Sequence, residues 1–426
     1  MKFNLLLLNF FKKVNYIYSL IIINYSEIMK KLLYLSAIVL TVSCSKTEFD
    51  NSGSLIQLDG SVKENLLGST TGRAIPSKYI IVLKDDNTIL GDKVKSRGRA
   101  LGLLKRNSAA ESNLEFVYSK AIQGFSAFIS PAVAAKLAKD PDVKYIEADM
   151  EINLWPITIE ARPGGGGGST TPPAQTTPWG INAIGGSASG TGKRAWIIDT
   201  GIDLTHPDLI VGSTLGFTAF TAGKDANFND GNGHGTHVAG TVAALNNTIG
   251  VVGVAAGATV IPVKVLDSRG SGSTSGVIAG IDYVALKGIS GDVANMSLGG
   301  AFSQALNDAV LRASAVVKFA VAAGNDAKSA TNYSPASVNA PNVYTISAYD
   351  VNGVFATFSN FGNPPVDYSA PGVSISSTWK SGGYNTISGT SMASPHACGI
   401  LLLGNISNGG TVTGDRDNTP DVKAIR

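Results

Sequence analysis

Short apolar runs and amphipathic stretches alternate along the C-terminal part of the chain. Runs rich in Val, Ile and Ala fall at 195–198, 259–265, 293–296, 316–322 and 343–347. Helical stretches at 234–245, 274–286, 304–313 and 391–403 lie among them. Strands that are apolar on both faces and separated by helices predict an α/β fold, with a mostly parallel sheet buried between helical layers. Ligands of such sheets bind beyond the carboxyl ends of the strands. Asp199 follows the first run and Asn325 the fourth.

A smaller pattern precedes this one. Residues 79–83, 116–118, 124–129 and 143–147 read as strands, and Ser130-Pro131 opens a short helix over 133–138. A small α+β domain is expected over 76–155. Pro163, the glycines 164–168 and the Ser/Thr/Pro stretch 169–173 mark a linker over 156–176. Thr177-Pro178-Trp179 then opens a large domain expected over 177–426.

The first residues read as targeting sequence. Met29-Lys30-Lys31 and the apolar run 32–42 have the length of an export signal and are too short to cross a bilayer comfortably. The run ends in Thr41-Val42-Ser43-Cys44, small residues before a cysteine. This resembles a bacterial lipoprotein cleavage site, with Leu40 one place earlier than usual. That reading gives a signal over 29–43, a lipid-modified Cys44 as membrane anchor and a polar tether over 44–75. An ordinary secretory signal cleaved nearby is the alternative, and both export the protein. A second apolar stretch over 1–28 is redundant with this signal, so translation is expected to begin at Met29.

Composition narrows the picture. In 426 residues, 44% are hydrophobic and 15% charged, which allows a large core. A net charge of +3, evenly spread, argues against a nucleic-acid partner. Two cysteines, Cys44 and Cys398, exclude a disulfide scaffold, and Cys398 reads as a buried small apolar residue.

The candidate chemistry lies in four motifs: Asp199 in AWIIDTGID, His234 in GNGHGTHVAG, Asn325 in VAAGND and Ser391 in SGTSMASPH. An acid, a base, an oxyanion donor and a hydroxyl are what acyl transfer to serine needs. Ser391 opens a helix after Gly389-Thr390, so its own N–H and the helix dipole face developing negative charge. Pro395 is expected near the first turn. Singly, each motif reads as a turn or a cap; together they form a constellation.

The order Asp, His, Ser resembles the subtilisin-like serine proteases, and within them the proteinase K branch. The resemblance implies a three-layer sandwich around the sheet and a broad-specificity endopeptidase without organic cofactor. Protein or peptide substrates and a monomer are expected. Gly124-Phe125-Ser126-Ala127 and Tyr145-Ile146-Glu147-Ala148-Asp149 resemble the family's inhibitory propeptide, implying a self-processing zymogen. His237 is then structural, His206 lines a surface turn and His396 lies behind Ser391. Ser297, Leu298, Gly299 and Gly300 match one edge of the substrate pocket. Gly270 and Gly272 match the opposite edge, and Ala323 and Gly324 leave room for an apolar side chain. Structural calcium is implied at the carbonyls of Pro341 and Val343 with Asp367. The stretch 225–230 lacks the glycine and glutamate of a calcium loop, and His234 and His237 lack the zincin glutamate. A serine esterase is disfavoured because G-T-S-M-A is not G-x-S-x-G. A binding protein on a dead protease scaffold is disfavoured because no triad residue is missing.

Overall fold

The computed structural model describes residues 66–67, 72–155, 158–159 and 172–426. The start at Met29, the signal over 29–43, Cys44 and most of the tether and linker lie outside the described residues.

The N-terminal domain contains β1 (Ala74–Leu83), α1 (Lys93–Arg106), β2 (Leu114–Tyr118), β3 (Gly124–Phe128), α2 (Pro131–Leu137) and β4 (Val143–Asn153). Its antiparallel sheet has the order β4-β1-β3-β2, with Leu66–Leu67 added in parallel outside β4. Strand alternation gives this sheet two apolar faces. Ile81, Phe125 and Ile146 lie under α1 and α2 with Leu103, Leu104 and Leu137. Ile80, Val82, Tyr118 and Tyr145 instead join a core of the large domain.

Helix α1 has no counterpart in the sequence reading. Gly98, Gly102 and many basic residues dilute its pattern, yet Ser96, Ala100, Leu103 and Leu104 are buried at helical spacing. The Asp92 carboxylate starts it by accepting from the N–H groups of Val94 and Lys95, both at 3.0 Å.

After a short helix at Trp179–Ala183 and a two-residue strand at Ala188–Ser189, the large domain has β5 (Arg194–Asp199), α3 (His234–Ala243), β6 (Thr259–Lys264), β7 (Ser271–Ser273) and α4 (Thr274–Lys287). Next come β8 (Val293–Met296), α5 (Gln304–Ala313), β9 (Lys318–Ala322), β10 (Val343–Tyr349) and β11 (Val366–Pro371). It ends with β12 (Ile375–Trp379), β13 (Gly383–Ser388), α6 (Thr390–Leu403), β14 (Ser407–Thr411) and β15 (Val422–Ile425). The main sheet runs Phe217–Thr218, β6, β5, β8, β9, β10, β11, β15, β14, and only the last pair is antiparallel. This is the expected three-layer α/β sandwich. Trp196 and Ile198 point to α4 and α5 with Val277, Ile281 and Leu306. Ala195 and Ile197 point to α3 and α6 with Val238, Val242, Ala397 and Ile400. Strands β11 to β15 carry more polar residues than the predicted runs, which hid them from the pattern.

Candidate active site

Strand β5 ends on Asp199, which is 0% exposed. His234, the first residue of α3, places Nδ1 2.8 Å from Asp199 Oδ1 and 3.0 Å from Oδ2. The helix starts there because Asp230, buried, serves its open N-terminus. Asp230 accepts from the N–H groups of Asn232 and Gly233 (2.8 Å each) and Thr236 (2.9 Å), and from the Thr236 hydroxyl (2.6 Å). The Thr200 hydroxyl donates to Asp230 at 3.0 Å and accepts from the Gly235 N–H at 2.9 Å, so the residue after Asp199 is bound to the helix that carries His234. A Cβ on Gly235 would press on the Gly201 carbonyl and come within 3.2 Å of Asp199, so a glycine is needed for the two elements to meet. Beneath them, the fully buried Lys264 donates to the carbonyls of Thr200 (2.6 Å) and Leu266 (2.9 Å) and pairs with Asp225 at 3.3 Å. Thr200 and Lys264 have no role in the sequence reading, and Asp230 enters it only as the end of the discounted calcium-loop stretch 225–230. Isolated polar residues beside a motif carry no periodic signal.

Ser391 is the second residue of α6, a helix that packs on α3. Asn325 fixes the entry to α6, because its Oδ1 accepts from the Thr390 N–H (2.9 Å) and hydroxyl (2.7 Å). That assignment turns the Asn325 NH2 toward Gly389, where an added Cβ would lie 3.0 Å from Nδ2 and 3.7 Å from the Ser391 nitrogen. A side chain at 389 would therefore fill the space that both donors border. Pro395 lies a turn deeper than expected, inside α6. It lacks the N–H that would bond the Ser391 carbonyl four residues back. The Ser297 hydroxyl donates to that carbonyl instead, at 2.8 Å, and is itself held by the Asn295 NH2 at 2.8 Å. The Ser391 hydroxyl is turned onto the Ser297 carbonyl at 3.1 Å, and His234 Nε2 makes no hydrogen bond among the described residues.

The other histidines are structural in geometry. His237 Nε2 bonds the Ile375 carbonyl at 3.0 Å, and burial pushes its pKa down to about 3. His396 bonds the Met392 carbonyl at 2.8 Å, and burial lowers its pKa to about 4. His206 corrects the sequence reading: it does not line the surface. It is buried, with Nε2 2.9 Å from the Gly383 carbonyl and Nδ1 accepting from the Asp208 N–H at 3.2 Å.

The two glycine-rich edges hold the end of the N-terminal domain. Glu151, Ile152 and Asn153 pair antiparallel with Ser273, Gly272 and Ser271, and Asn153 also bridges Gly299 on the other side. The Leu154 N–H donates to the Gly270 carbonyl at 2.9 Å. Trp155, 7% exposed, lays its indole against Gly299 and Gly324. Gly300 borders Ile152, and Leu298 is buried in the same cluster as Ile152. Ala323 is buried, its carbonyl accepting from the Asn360 NH2 at 2.9 Å. Thr158–Ile159 pairs with Ser388 and Ile387, just before Ser391. A strand added at both edges is the way an extended peptide is held.

Buried carboxylates dock the rest of that domain. Asp149 accepts from the Ser275 N–H (2.9 Å) and hydroxyl (2.6 Å) at the start of α4, and pairs with Lys78 at 3.1 Å. Glu147 accepts from the Ser303 hydroxyl (2.6 Å) and the Ala305 N–H (3.1 Å) at the start of α5. Burial raises the Glu147 pKa. In return, Asp282 of α4 accepts from the backbone N–H groups of Ser119, Lys120 and Ala121 at 3.0, 2.7 and 2.9 Å.

The profile of the subtilase family matches residues 195–405, and that of peptidase inhibitor I9 matches 78–154. The chain is 38% identical over 363 residues to an extracellular serine proteinase of Thermus sp. (strain Rt41A), covering 79% of this chain and 82% of that protein. It is 39% identical over 352 residues to an alkaline serine protease of Corniculantispora psalliotae, with the same coverages. This chain belongs to the subtilase family. It is a subtilisin-like serine endopeptidase that carries an I9 inhibitory propeptide. A cold-adapted subtilisin-like serine proteinase of known structure is 41% identical, with a TM-score of 0.48 and coverage of 53% of this chain and 83% of that one.

For the calcium expectation, the residues offer hard oxygen donors. The Pro341 carbonyl lies 3.5 Å from the Ser314 hydroxyl, and Asp367 accepts from the Thr345 N–H with one carboxylate oxygen at 2.8 Å. Val343 is buried at the start of β10. No cluster of three His, Cys, Asp or Glu side chains suited to a metal occurs among the described residues.

Proposed function

We propose that this subtilase is an exported endopeptidase of broad specificity in which Asp199, His234 and Ser391 form the triad and Asn325 the side-chain part of the oxyanion hole. The observation that carries this reading is the stretch 151–155, held between Gly270–Ser273 and Gly299 as an extended peptide would be. In the reaction the Ser391 hydroxyl leaves the Ser297 carbonyl and attacks the substrate carbonyl carbon, passing its proton to His234 Nε2. Asp199 holds the imidazole by Nδ1 and stabilises its cation. The Asn325 NH2 and the Ser391 N–H receive the oxyanion. His234 then protonates the leaving amine, and water hydrolyses the acyl-enzyme with His234 as base. Pairing at both edges uses main-chain groups, which bind without reading side chains and so favour broad cleavage. The pocket beside Gly299 and Gly324 takes a large apolar side chain.

The prosegment is removed by the enzyme's own activity, with domains divided as in the sequence reading: signal 29–43, tether 44–75, propeptide 76–155, linker 156–176 and catalytic domain 177–426. Ser391→Ala should abolish casein hydrolysis, by on the order of 10⁶-fold in kcat, and leave the prosegment attached. Prosegment removal by that purified variant would refute self-processing. Cys44 carries the lipid, a claim that an acyl mass on the mature N-terminus tests. Pro341, Val343 and Asp367 would hold calcium between the starts of β10 and β11. Chelation should then lower the melting temperature, and Asp367→Asn should remove that response.

A further inference from the structure

We propose that Asn295, Ser297 and Ser394 are positioning residues for the nucleophile. They supply the hydrogen bond that Pro395 withholds from the Ser391 carbonyl, so that Ser391 is set by the sheet rather than by its own helix. The proposal rests on the reading of Ser391 as nucleophile.

Inside a helix a carbonyl accepts from the N–H four residues on. For Ser391 that donor would belong to residue 395, which is proline. Proline has no N–H, and its ring crowds the carbonyl four residues back. A buried carbonyl left without a donor is costly. Here three side chains answer it, in a directed chain of bonds that runs from α6 to the end of β8 and back. The Ser394 hydroxyl donates to Asn295 Oδ1 at 2.7 Å. With its oxygen so engaged, Asn295 turns its NH2 to the Ser297 oxygen at 2.8 Å. The Ser297 hydroxyl then donates to the Ser391 carbonyl at 2.8 Å. Each hydroxyl has one proton and each proton is used, so the 3.1 Å approach of the Ser297 and Ser394 oxygens adds no further bond. All three side chains lie in residues that are 0% exposed. In a closed buried network each member orients the next, and loss of one loosens the others.

Ser297 also meets the nucleophile through its main chain, because its carbonyl accepts from the Ser391 hydroxyl at 3.1 Å. Ser391 is therefore joined to Ser297 twice. The preceding residue, Thr390, is held by Asn325 Oδ1 through its N–H and its hydroxyl. Asn325 fixes the approach to Ser391 and the Ser297 hydroxyl fixes the direction of its carbonyl. Between these two anchors the bond that carries the nucleophilic oxygen keeps one direction. A reacting group about 1 Å out of place can cost about 10²-fold in rate. Two residues past Ser297, Gly299 forms the cleft edge that bridges Asn153. One short stretch after β8 thus sets the nucleophile and lines the cleft.

The test is a double-mutant cycle on mature enzyme, with rates taken per titrated active site. It is read with a peptide substrate and with a fluorophosphonate probe, which forms a phosphorus–oxygen bond to serine and expels fluoride. Ser297→Ala keeps the main chain of the cleft edge. It should lower kcat by about 10–100-fold with KM within about twofold, and slow the probe by a like factor. Adding Pro395→Ala offers the Ser391 carbonyl an N–H from its own helix. The double variant should then come within about threefold of Pro395→Ala alone in kcat. Ser394→Ala, which frees only Asn295, should lower kcat by about threefold, and Ser394→Thr should restore it. The proposal is overturned by a Ser297→Ala enzyme with unchanged kcat, by a loss confined to KM, or by a double variant as slow as Ser297→Ala. Should Ser297→Ala not fold, the Ser394 pair decides: equal rates for Ser394→Ala and the parent, or no recovery with Ser394→Thr, overturn it. A probe adduct on a residue other than Ser391 in the parent enzyme overturns the nucleophile reading instead.

Discussion

The surroundings of Asp199 and His234 differ in kind from the face that binds the prosegment. Around the pair, alignment comes from groups of the large domain itself: Asp230 at the start of α3, Thr200 between the two elements and Lys264 below. Ser391 is held likewise by Asn325, Thr390 and Ser297. Across the prosegment face, carboxylates are shared between domains. Asp149 and Glu147 serve helices that are not their own, and Asp282 gathers three N–H groups from the other side. The first arrangement uses no group of the prosegment. The second adds to the capping that Ser273 and Ser303 give the starts of α4 and α5. A permanent site is built from internal bonds, and a separable lock from bonds across a boundary.

That contrast can be broken from either side. The largest effect is expected from Asp199→Asn, which keeps the shape but offers His234 the wrong hydrogen-bond partner; kcat should fall about 10⁴-fold in a peptide assay, with prosegment binding unchanged. Asn325→Ala should lower kcat by about 10²–10³-fold, through loss of the oxyanion donor and of the Oδ1 that holds the Thr390 N–H and hydroxyl. On the prosegment face, Asp282→Ala removes one acceptor from three backbone N–H groups, two of them in buried bonds. It should weaken inhibition by the prosegment by about 2 kcal/mol, roughly thirtyfold, without altering kcat of the mature enzyme. The smallest effect concerns pH. Docking raises the Glu147 pKa above its free value, so the docked form holds the proton more tightly. Its contribution to docking is fullest below the free pKa and is lost as pH rises through the docked one. Glu147→Gln should flatten that part of the pH dependence by a few-fold in the inhibition constant. An unchanged slope would remove Glu147 from the lock.

How much of this was legible in the sequence varied with the physical signal. The central strands read clearly because both faces are buried, so Val, Ile and Ala run nearly without break. Helix α1 was missed because its buried face is only four residues wide and two glycines interrupt it. Strand β4 was read only over 143–147, yet it continues to Asn153, because its last residues are stabilised by β7 and Gly299 rather than by their own pattern. Pro395 was expected at a helix start. That rule holds when no side chain can replace the missing N–H, and Ser297, remote in sequence, supplies the hydroxyl. His206 followed a turn motif to the surface, whereas Gly383 and Asp208 satisfy both its ring nitrogens in the interior.

By itself the sequence determined the family, the order of the chemical groups and the alternation of strand and helix. These depend on residue type and local spacing, which a linear chain carries in full. Only the tertiary structure decided which carboxylate caps which helix, how the Ser391 hydroxyl is turned and which prosegment residues pair with Gly272 and Gly299. Each of these turns on the register between segments far apart in the chain, where a shift of one residue exchanges the faces of a strand and no local preference opposes it.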